Sequence, residues 1–405
     1  MDTQEFDVLV IGAGPSGIMA ASMVNKSGLK VKVVEKTCFP RFVIGESLLA
    51  KCMDNFKEAG VLEEISKLDF QVKNGAVFFR DNESCDFDFS EQFTKGYKST
   101  WQVQRDKFDK VVADKVASMG VDIEYELEVV DVRFNESDSV VFLKDKQGDQ
   151  RKINTRYIID ASGFGMVLPK LLDLECESRQ INRSTIFTHF QDPNRPTHHS
   201  NKITVISHQN DIWIWIIPFS DGTSSCGFVG NPEFFNKYKG DASEKLRLMI
   251  QDVPLLKQRF HNSKMIFEAK EIYAYSKYVK KLYGKGYVLT GNAMGFLDPI
   301  FSSGLTMATE SGILAGKLVS EEINIGCVDW EEDYSLPMSH GFDVFSTYIN
   351  AWYDGSLHKI FFSKQVNKYI KKQICSVLAG YVWDKSNPFV MRYESSLYNL
   401  SMYLD

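Results

Sequence analysis

Residues 6–35 read FDVLVIGAGPSGIMAASMVNKSGLKVKVVE, and this stretch decides the fold. Its hydrophobic pattern predicts a buried strand over residues 7–11, a helix over 16–26 and a second strand over 31–34. A strand, a glycine turn, a helix and a second strand in this order are typical of a parallel sheet that binds a nucleotide. The chain is therefore predicted to contain an α/β nucleotide-binding domain of the Rossmann type.

Three glycines and one acid give this unit its predicted chemistry. Gly12 permits a tight turn, Gly14 lets a pyrophosphate approach the backbone, and Gly17 allows the helix to pack closely on the strand. Backbone amides at the start of the helix can hold the phosphates. Glu35 ends the second strand, where a carboxylate can accept hydrogen bonds from both hydroxyls of a ribose. The motif fits both NAD and FAD, so the choice depends on the rest of the chain.

Composition excludes several classes of function. The 405 residues include 47 Lys and Arg against 53 Asp and Glu, with no basic block, so nucleic acid is not an expected partner. The seven cysteines are scattered without a CxxC pair, which predicts free thiols in a reducing compartment and no metal site. The N-terminal MDTQEFD leaves no room for a signal peptide, and no apolar run reaches the length of a membrane span. We therefore expect a cytoplasmic protein.

Later segments predict further strands and helices. The predicted strands cover residues 70–80, with a break at Asn74 and Gly75, and then 122–133 and 138–144, and a buried strand from Arg156 ends in Asp160 before a small-residue turn that reaches Gly163. The predicted helices cover 106–119 and 305–323. Ser47 is predicted to cap a helix that follows the loop at Pro40 and Gly45. Residues 184–230 alternate as an antiparallel sheet with a hairpin turn over 220–222, and about the last 75 residues have helical periodicity.

These pieces predict domains that are interleaved along the chain. A discontinuous nucleotide-binding domain is predicted over residues 1–75, 101–165 and 280–325, and a substrate domain with an antiparallel sheet over 76–100 and 166–279. Residues 326–405 form a predicted C-terminal helical region. The expected fold class is therefore mixed α/β, with the second sheet inserted into a Rossmann-type domain.

Four motifs together resemble the FAD-binding fold of aromatic hydroxylases, geranylgeranyl-type reductases and flavin-dependent halogenases. They are the GxGxxG turn, RDKFD from Arg105, IIDASG over 158–163 and GNAMGFLDP over 291–299. FPRFVIGESLL over 39–49 is also shared by halogenases and related reductases. This resemblance covers nearly the full chain and implies FAD, held by Gly12, Gly14, Pro15, Ser16, Gly17, Glu35, Lys36, Arg41, Ser47, Arg105, Gly291, Asn292, Asp298 and Gly304.

Two of these implied contacts have a stated chemical reason. Arg105 would offset the charge of the pyrophosphate. The family usually carries GD in the later turn, where this chain has Gly291 and Asn292. An amide can still form a hydrogen bond with a ribityl hydroxyl, so we expect FAD binding to survive the difference.

The segment WIWIIP over 213–218 resembles the WxWxIP signature of halogenases. Alternation along a strand puts Trp213 and Trp215 on one face. By resemblance, these tryptophans lie near the flavin and keep the substrate from reaching it directly. Two tryptophans that fill a sheet core are the simpler explanation of an isolated WxW.

The segment FLDPIFSSG over 296–304 resembles a second halogenase signature, FxxPxxSxG. Its small residues leave backbone amides exposed before a helix, which is a natural anion site, so Ser303 and Gly304 are predicted to bind halide. A plain helix start containing a glycine is the alternative. From the two signatures together, the predicted pocket consists of Trp213, Trp215, Pro218, Phe296, Pro299 and Phe301.

Lys73, in VKNGAVF, resembles the lysine that lies at the end of a tunnel in halogenases. In that family reduced FAD, dioxygen and halide yield a hypohalous acid, which an ammonium can orient or an amine can take up as a chloramine. A solvated surface charge is the ordinary role of a lone lysine. The resemblance predicts Lys73 and Ser302 as catalytic residues.

Phe301 narrows the expected substrate. Tryptophan halogenases carry a glutamate at that place, whereas phenylalanine matches the group that chlorinates phenols and pyrroles. The resemblance thus implies an electron-rich aromatic substrate, either free or tethered to an acyl or peptidyl carrier protein, with chloride or bromide as co-substrate. The chain has no second GxGxxG for a nicotinamide domain, so reduced FAD is expected from a separate reductase.

Two alternatives remain open from the sequence. A flavin-dependent hydroxylase or monooxygenase, or a geranylgeranyl-type reductase of unsaturated chains, would have the same fold. A flavoprotein without catalysis could serve as a binding module.

Overall fold

The computed structural model describes residues 4–176, 182–209, 211–273 and 278–404. Its strands are β1 Gln4–Ile11, β2 Val31–Glu35, β3 Gln71–Lys73, β4 Gly75–Arg80, β5 Glu83–Asp88, β6 Thr100–Gln102, β7 Asp122–Tyr125, β8 Leu127–Phe134, β9 Ser139–Asp145, β10 Gln150–Asp160, β11 Glu175–Cys176, β12 Ser184–Gln191, β13 Lys202–His208, β14 Ile212–Pro218, β15 Thr223–Gly230, β16 Lys270–Tyr273, β17 Tyr278–Val279, β18 Tyr283–Gly284 and β19 Tyr287–Leu289. Its α-helices are α1 Pro15–Lys26, α2 Cys52–Ala59, α3 Leu62–Ser66, α4 Arg105–Ser118, α5 Val167–Leu171, α6 Pro232–Phe235, α7 Ala242–Asp252, α8 Pro254–Phe260, α9 Ser303–Asn324, α10 Leu336–Tyr353, α11 Ser356–Phe362, α12 Lys368–Leu378, α13 Pro388–Met391 and α14 Tyr393–Tyr403.

The larger sheet is built around the predicted βαβ unit. Its order is β18-β19-β10-β1-β2-β7, and β9 and β8 extend it from β10. The five strands β19, β10, β1, β2 and β7 run parallel. Helix α9 packs directly on α1. The two helices are so close that a Cβ on Gly312 would overlap the backbone of Ser16. This close packing brings the start of α9 to the same edge of the sheet as the glycine turn.

The second sheet is mostly antiparallel and has the order β16-β12-β15-β14-β13-β4-β5, with β4 and β13 parallel. The predicted hairpin at residues 220–222 joins β14 to β15. Trp213 and Trp215 face a cluster built with α10, α11 and α12, whereas Ile214 and Ile216 face the helices α6 to α8. The mixed α/β class with C-terminal helices is confirmed, and so is the alternation along β14.

Three local predictions differ from the structure. The strand predicted over 122–133 breaks into β7 and β8 at Glu126, whose φ of 61° cannot continue a strand. Ser47 does not cap a helix, because residues 46 and 47 are extended and Ser47 forms a bridge with Gln102; helix α2 begins at Cys52 instead. The acidic stretch after Arg80 contains β5, which was not predicted because its charges hide the alternation; it pairs with β4 as a hairpin.

The division into domains stays a prediction, although the sheets are distributed as it requires. The strands of the second sheet come from residues 75–88 and 184–273, between segments of the first sheet. The two sheets are therefore interleaved in sequence. Within the described ranges, no helix is both long and apolar enough to cross a bilayer.

Candidate active site

The glycine turn after β1 has the geometry that the sequence predicted. Gly12 has a φ of 98°, and a Cβ there would lie 2.6 Å from the carbonyl oxygen of Ala161. A Cβ on Gly17 would overlap the carbonyl oxygen of Gly12. The backbone N–H of Ala13 donates to Oε2 of Glu35 at 2.9 Å, so the predicted ribose carboxylate is fixed against the turn. Only glycine fits at residues 12 and 17, and the turn is tight enough to receive a diphosphate.

Arg105 does not point freely toward the predicted pyrophosphate site. Its Nε and Nη2 donate to the carboxylate of Asp109 at 2.7 and 3.0 Å, and its Nη1 donates to the carbonyls of Ile44 and Gly45 at 3.2 Å. The bidentate ion pair is buried, so the guanidinium charge is already neutralised. Arg105 therefore holds the loop before α2, and its contact with the pyrophosphate stays a prediction.

Arg41 occupies the place over the glycine turn. A Cβ on Gly14 would lie 3.7 Å from Nη2 of Arg41, and the same nitrogen is 3.8 Å from Oε2 of Glu35. Nη1 is 3.9 Å from Asp109. Its Nε is buried and has no hydrogen-bond partner among the described residues. Arg41, which was predicted as a cofactor contact, is thus the cation that remains available to a diphosphate.

Several buried polar atoms of residues predicted to contact FAD, or paired with them, lack a partner in the described part of the chain. They are Oγ of Ser16 and Ser47, Oγ1 of Thr100, which pairs with Lys73, and both side-chain amide atoms of Gln102, which pairs with Ser47. Buried polar groups in proteins are nearly always hydrogen-bonded, so each of these atoms calls for a missing partner. The hydroxyls and ring amides of FAD are suitable partners, and the residues therefore fit this cofactor. Thr100 and Gln102 carry no motif, and the sequence analysis missed them.

The later glycine turn lies against the start of α1. A Cβ on Gly291 would lie 3.0 Å from Cβ of Ser16, and the N–H of Gly291 donates to Oγ of Ser311 at 2.9 Å. Asn292 follows on a partly exposed position. The two predicted cofactor turns are therefore in contact, as a shared ligand requires.

The loop that leads into α9 has an unusual backbone at Ser302. Its φ of 58° is in the left-handed region, which a serine adopts at a cost of about 1–3 kcal/mol. The following Ser303 is buried, and a Cβ on Gly304 would meet no atom within 4 Å. The first turn of α9 therefore has room beside Gly304, and a halide bound at the amides of this turn stays a prediction.

Asp298, whose predicted contact with the cofactor stays a prediction, is part of a buried hydrogen-bond chain. Its Oδ2 accepts from the hydroxyl of Tyr353 at 2.9 Å, and that hydroxyl accepts from Nε1 of Trp213 at 2.9 Å. Burial raises the pKa of Asp298 to about 6. Arg183 stacks on the ring of Tyr353 at 3.5 Å. The carboxylate therefore connects the loop before α9 to the tryptophan strand and to the end of α10.

Lys73 is buried at the end of β3. Its side chain is 1% exposed, and Nζ donates to the carbonyl oxygen of Leu48 at 2.7 Å. Burial lowers the pKa of Lys73 to about 7. The nearby thiol of Cys52 contacts Oγ1 of Thr306 at 3.3 Å, and burial raises the pKa of that thiol. The ordinary role of a solvated surface lysine does not apply here.

A small, mostly apolar cavity brings Lys73 and Ser302 together. Besides these two residues, it is lined by Leu49, Ala76, Phe78, Ile203, Val205, Ile300, Phe301 and Leu378. Phe301 contacts Phe78 and Trp352 with ring centroids 6.3 Å apart in both pairs. The two residues predicted as catalytic, 229 positions apart in sequence, therefore line one cavity.

Of the residues predicted to form the pocket, only Phe301 lines this cavity, and the others lie elsewhere. Trp213 and Trp215 are adjacent at 5.8 Å, and Nε1 of Trp215 donates to Oγ of Ser225 at 3.0 Å. The predicted pocket also included Pro218, which ends β14, Pro299, which is partly exposed, and Phe296, whose ring packs on the exposed Phe164 at 5.0 Å. Lys36 forms an exposed ion pair with Glu128 at 2.6 Å, so its predicted contact with FAD is not supported by its position.

A buried acid and histidine form a pair that the sequence analysis missed. Oε1 of Glu46 lies 2.6 Å from Nε2 of His189, while Oε2 has no partner among the residues that the structure describes. The rings of Phe42, Phe219 and Phe267 surround His189 with centroids 4.8–5.9 Å away. The two residues are far apart in sequence and carry no joint motif, so only the fold could reveal them. No group of acids, histidines and cysteines in the described ranges is arranged to hold a metal, and all seven cysteines are free.

Comparison with known proteins agrees with this geometry. The model of the FAD binding domain family matches residues 5–313. The chain is 28% identical to the 1H-pyrrole-2-carbonyl-(peptidyl-carrier protein) brominase of Pseudoalteromonas luteoviolacea, with 94% of this chain and 93% of the relative covered. It is 27% identical to the corresponding chlorinase of Pseudomonas fluorescens, with 87% and 83% covered. The crystal structure of a flavoprotein/dehydrogenase from Cytophaga hutchinsonii is 49% identical and superposes with a TM-score of 0.97 over 99% of both chains.

The fold and the glycine turns thus define a flavoprotein, and the chain belongs to the FAD binding domain family. Within that family it is an FAD-dependent oxidoreductase homologous to flavin-dependent halogenases.

Proposed function

We propose that this chain halogenates an electron-rich aromatic ring of the pyrrole or phenol type, with chloride or bromide as co-substrate. The observation that carries the proposal is a buried lysine at the wall of an apolar cavity that also includes Ser302 of the halogenase-like loop. Reduced FAD, when bound, activates dioxygen and so supplies the oxidising equivalents that turn halide into a hypohalous acid. The glycine turn, Arg41, Ser47 and Gln102 would hold the cofactor, and the amides of Ser303 and Gly304 would hold the halide.

Lys73 then controls the small neutral oxidant. In its protonated form, the ammonium donates a hydrogen bond to the hypohalous oxygen and makes the halogen more electrophilic. The aromatic carbon bonds to the halogen, the oxygen–halogen bond breaks, and the ring proton leaves with the hydroxide as water. In its neutral form, the amine takes the halogen, and the hydroxyl of the hypohalous acid leaves with an amine proton as water. The ring carbon then bonds to the halogen, the nitrogen–halogen bond breaks, and the ring proton returns to the nitrogen. Both forms exist near neutrality because burial lowers the pKa of Lys73 to about 7.

Substitution of Lys73 tests this role. Lys73→Met keeps the length of the side chain without a donor, and we expect halogenation of a pyrrole-type substrate to fall by about 100-fold or more. Lys73→Arg keeps a charge that is not lost at neutral pH, so activity in this variant would show that hydrogen bonding is sufficient. FAD fluorescence titration should give unchanged affinity in both variants.

The control is Lys67→Met, which removes an exposed lysine directly after α3. It should leave turnover unchanged. Full halogenation by Lys73→Met would show that Lys73 neither orients the hypohalous acid nor carries the halogen.

Three finer points belong to the same proposal. We infer that a separate reductase supplies reduced FAD, that the substrate is tethered to a carrier protein, and that the chain works in the cytoplasm, where its free cysteines stay reduced. Oxidation of NADPH by the purified chain alone would contradict the first point and favour a hydroxylase.

A further inference from the structure

The C-terminal helices present a surface whose charge differs from that of the chain as a whole. The formal net charge of the protein is −6, yet no acidic residue occurs between Asp354 and Asp384. The same segment carries five lysines. Such a local excess on an acidic protein attracts an acidic partner to one face.

Four of these lysines lie within five residues of Tyr369, an exposed aromatic residue at the start of α12. We call Lys364, Lys368, Lys371, Lys372 and Tyr369 the lysine surface. Tyr369 is 57% exposed, and its ring packs edge-on against Phe93 at 5.7 Å, which holds it in place. Exposed tyrosines fixed by their neighbours are frequent anchors at the centre of interfaces.

The charges of this surface are not neutralised by the chain itself. Lys364, Lys368 and Lys372 are exposed and form no ion pair within the described residues. Lys371 is partly buried over the ring of Phe87. Two acids, Asp88 and Glu91, interact electrostatically with Cys375, a buried residue of α12. Asp88 also lies 3.7 Å from Lys202.

Helix α12 connects this surface to the Lys73 cavity. Its first turn is exposed and carries Lys368 and Tyr369, whereas its last residue, Leu378, lines the cavity. Ten residues separate Lys368 from Leu378, so the surface and the cavity are about 15 Å apart along the helix axis. A partner bound at the surface is therefore near enough to present a flexible, tethered group to the cavity.

We propose that the lysine surface docks an acidic carrier protein that brings the aromatic substrate as a thioester. This inference rests on the proposed halogenation of a tethered ring. Charge complementarity would bind the acidic face of the carrier, and Tyr369 would pack at the centre of the contact. A lipid membrane or a nucleic acid would need the same lysines, and the experiment distinguishes them.

The experiment compares wild type with Lys364→Glu/Lys368→Glu/Lys372→Glu. The matched control, Lys144→Glu/Lys281→Glu/Lys285→Glu, reverses three exposed lysines at the first sheet. The probe is a peptidyl carrier protein loaded with a pyrrole-2-carbonyl group, and its binding is measured by fluorescence anisotropy at low and high salt. We expect the triple variant to bind at least about tenfold more weakly, with the control unchanged and wild-type binding weakened by salt.

Turnover separates this proposal from the proposed function. The triple variant should show a raised KM for the loaded carrier, with unchanged halogenation of monochlorodimedone and of the free pyrrole-2-carbonyl thioester. Tyr369→Ala should weaken carrier binding several-fold. If wild type binds the carrier but halogenates nothing, the docking inference stands and the proposed function fails. Equal binding by the triple variant, or no binding by wild type, would overturn the docking inference. Lysine-dependent binding to anionic vesicles or to DNA but not to the carrier would overturn it as well.

Discussion

The buried ammonium of Lys73 costs the folded state stability below about pH 7. Burial lowers the pKa of this side chain from its usual value to about 7, so the unfolded chain binds more protons than the folded chain between about pH 7 and 10. The stability of the wild type therefore rises with pH across that window.

Lys73→Met removes this cost. We expect the variant to be more stable than wild type by a few kcal/mol below pH 7, with the difference shrinking as pH rises toward 10. Thermal unfolding at pH 6, 8 and 10 measures it. A difference that does not depend on pH would mean that the pKa of Lys73 is the same in the folded and unfolded chains, as for a solvated lysine.

Tyr353 joins two buried side chains through its hydroxyl group. Its hydroxyl lies between the indole N–H of Trp213 and the carboxylate of Asp298, both buried. Tyr353→Phe would leave both groups without this partner, at a cost of about 1–3 kcal/mol, and would shift the fluorescence of Trp213. The melting temperature and the emission spectrum check this, with Tyr369→Phe at an exposed hydroxyl as the control. An unchanged melting temperature would show that water replaces the hydroxyl.

At the scale of elements, substitutions of two glycines in α9, Gly304 and Gly312, distinguish an effect on ligand binding from an effect on stability. A methyl group on Gly304 would meet no atom within 4 Å, so Gly304→Ala should keep or slightly raise the melting temperature. The same methyl would add bulk to the first turn of α9, where the halide is proposed to bind. We therefore expect a raised halide KM, or weaker FAD binding, in a fully folded protein.

Gly312→Ala in the same helix is the matched contrast. Its methyl group would overlap the backbone of Ser16 in α1, so this variant should melt at a lower temperature. If Gly304→Ala has the halide and FAD affinities of the wild type, the halide does not bind at the start of α9.

Features that depend on local sequence patterns could be predicted, whereas contacts between distant segments could not. The βαβ unit and the alternation of β14 were predictable because each depends on local spacing that only one fold satisfies. The pairing of Arg105 with Asp109 was not, because RDKFD looks the same whether its guanidinium faces a ligand or the next helical turn. The unsatisfied amide of Gln102 and the pair of Glu46 with His189 depend on contacts between distant segments, which no local pattern encodes.

At the scale of the whole molecule, the C-terminal helices complete the core of the second sheet. The ring of Phe361 in α11 packs on Phe78 at 4.8 Å and on Phe87 at 4.9 Å. A chain ended after Gly326 would expose these rings, so we expect it to aggregate or to lose cooperative unfolding. Light scattering and calorimetry measure this, and a chain ended after Met402, which removes only the exposed end of α14, is the control. A folded, monomeric product of the longer truncation would show that the first sheet and its neighbours are stable alone.

The thiol of Cys52, hydrogen-bonded to Thr306 and close to Lys73, has a consequence for the working life of the protein. A hypohalous acid attacks thiolates far more readily than most aromatic rings, so a reactive cysteine beside Lys73 would divert the oxidant and damage the catalyst. Burial raises the pKa of Cys52 and keeps it protonated, which lowers its reactivity. Under the proposed function, burial of Cys52 would thus also protect the protein from its own reagent.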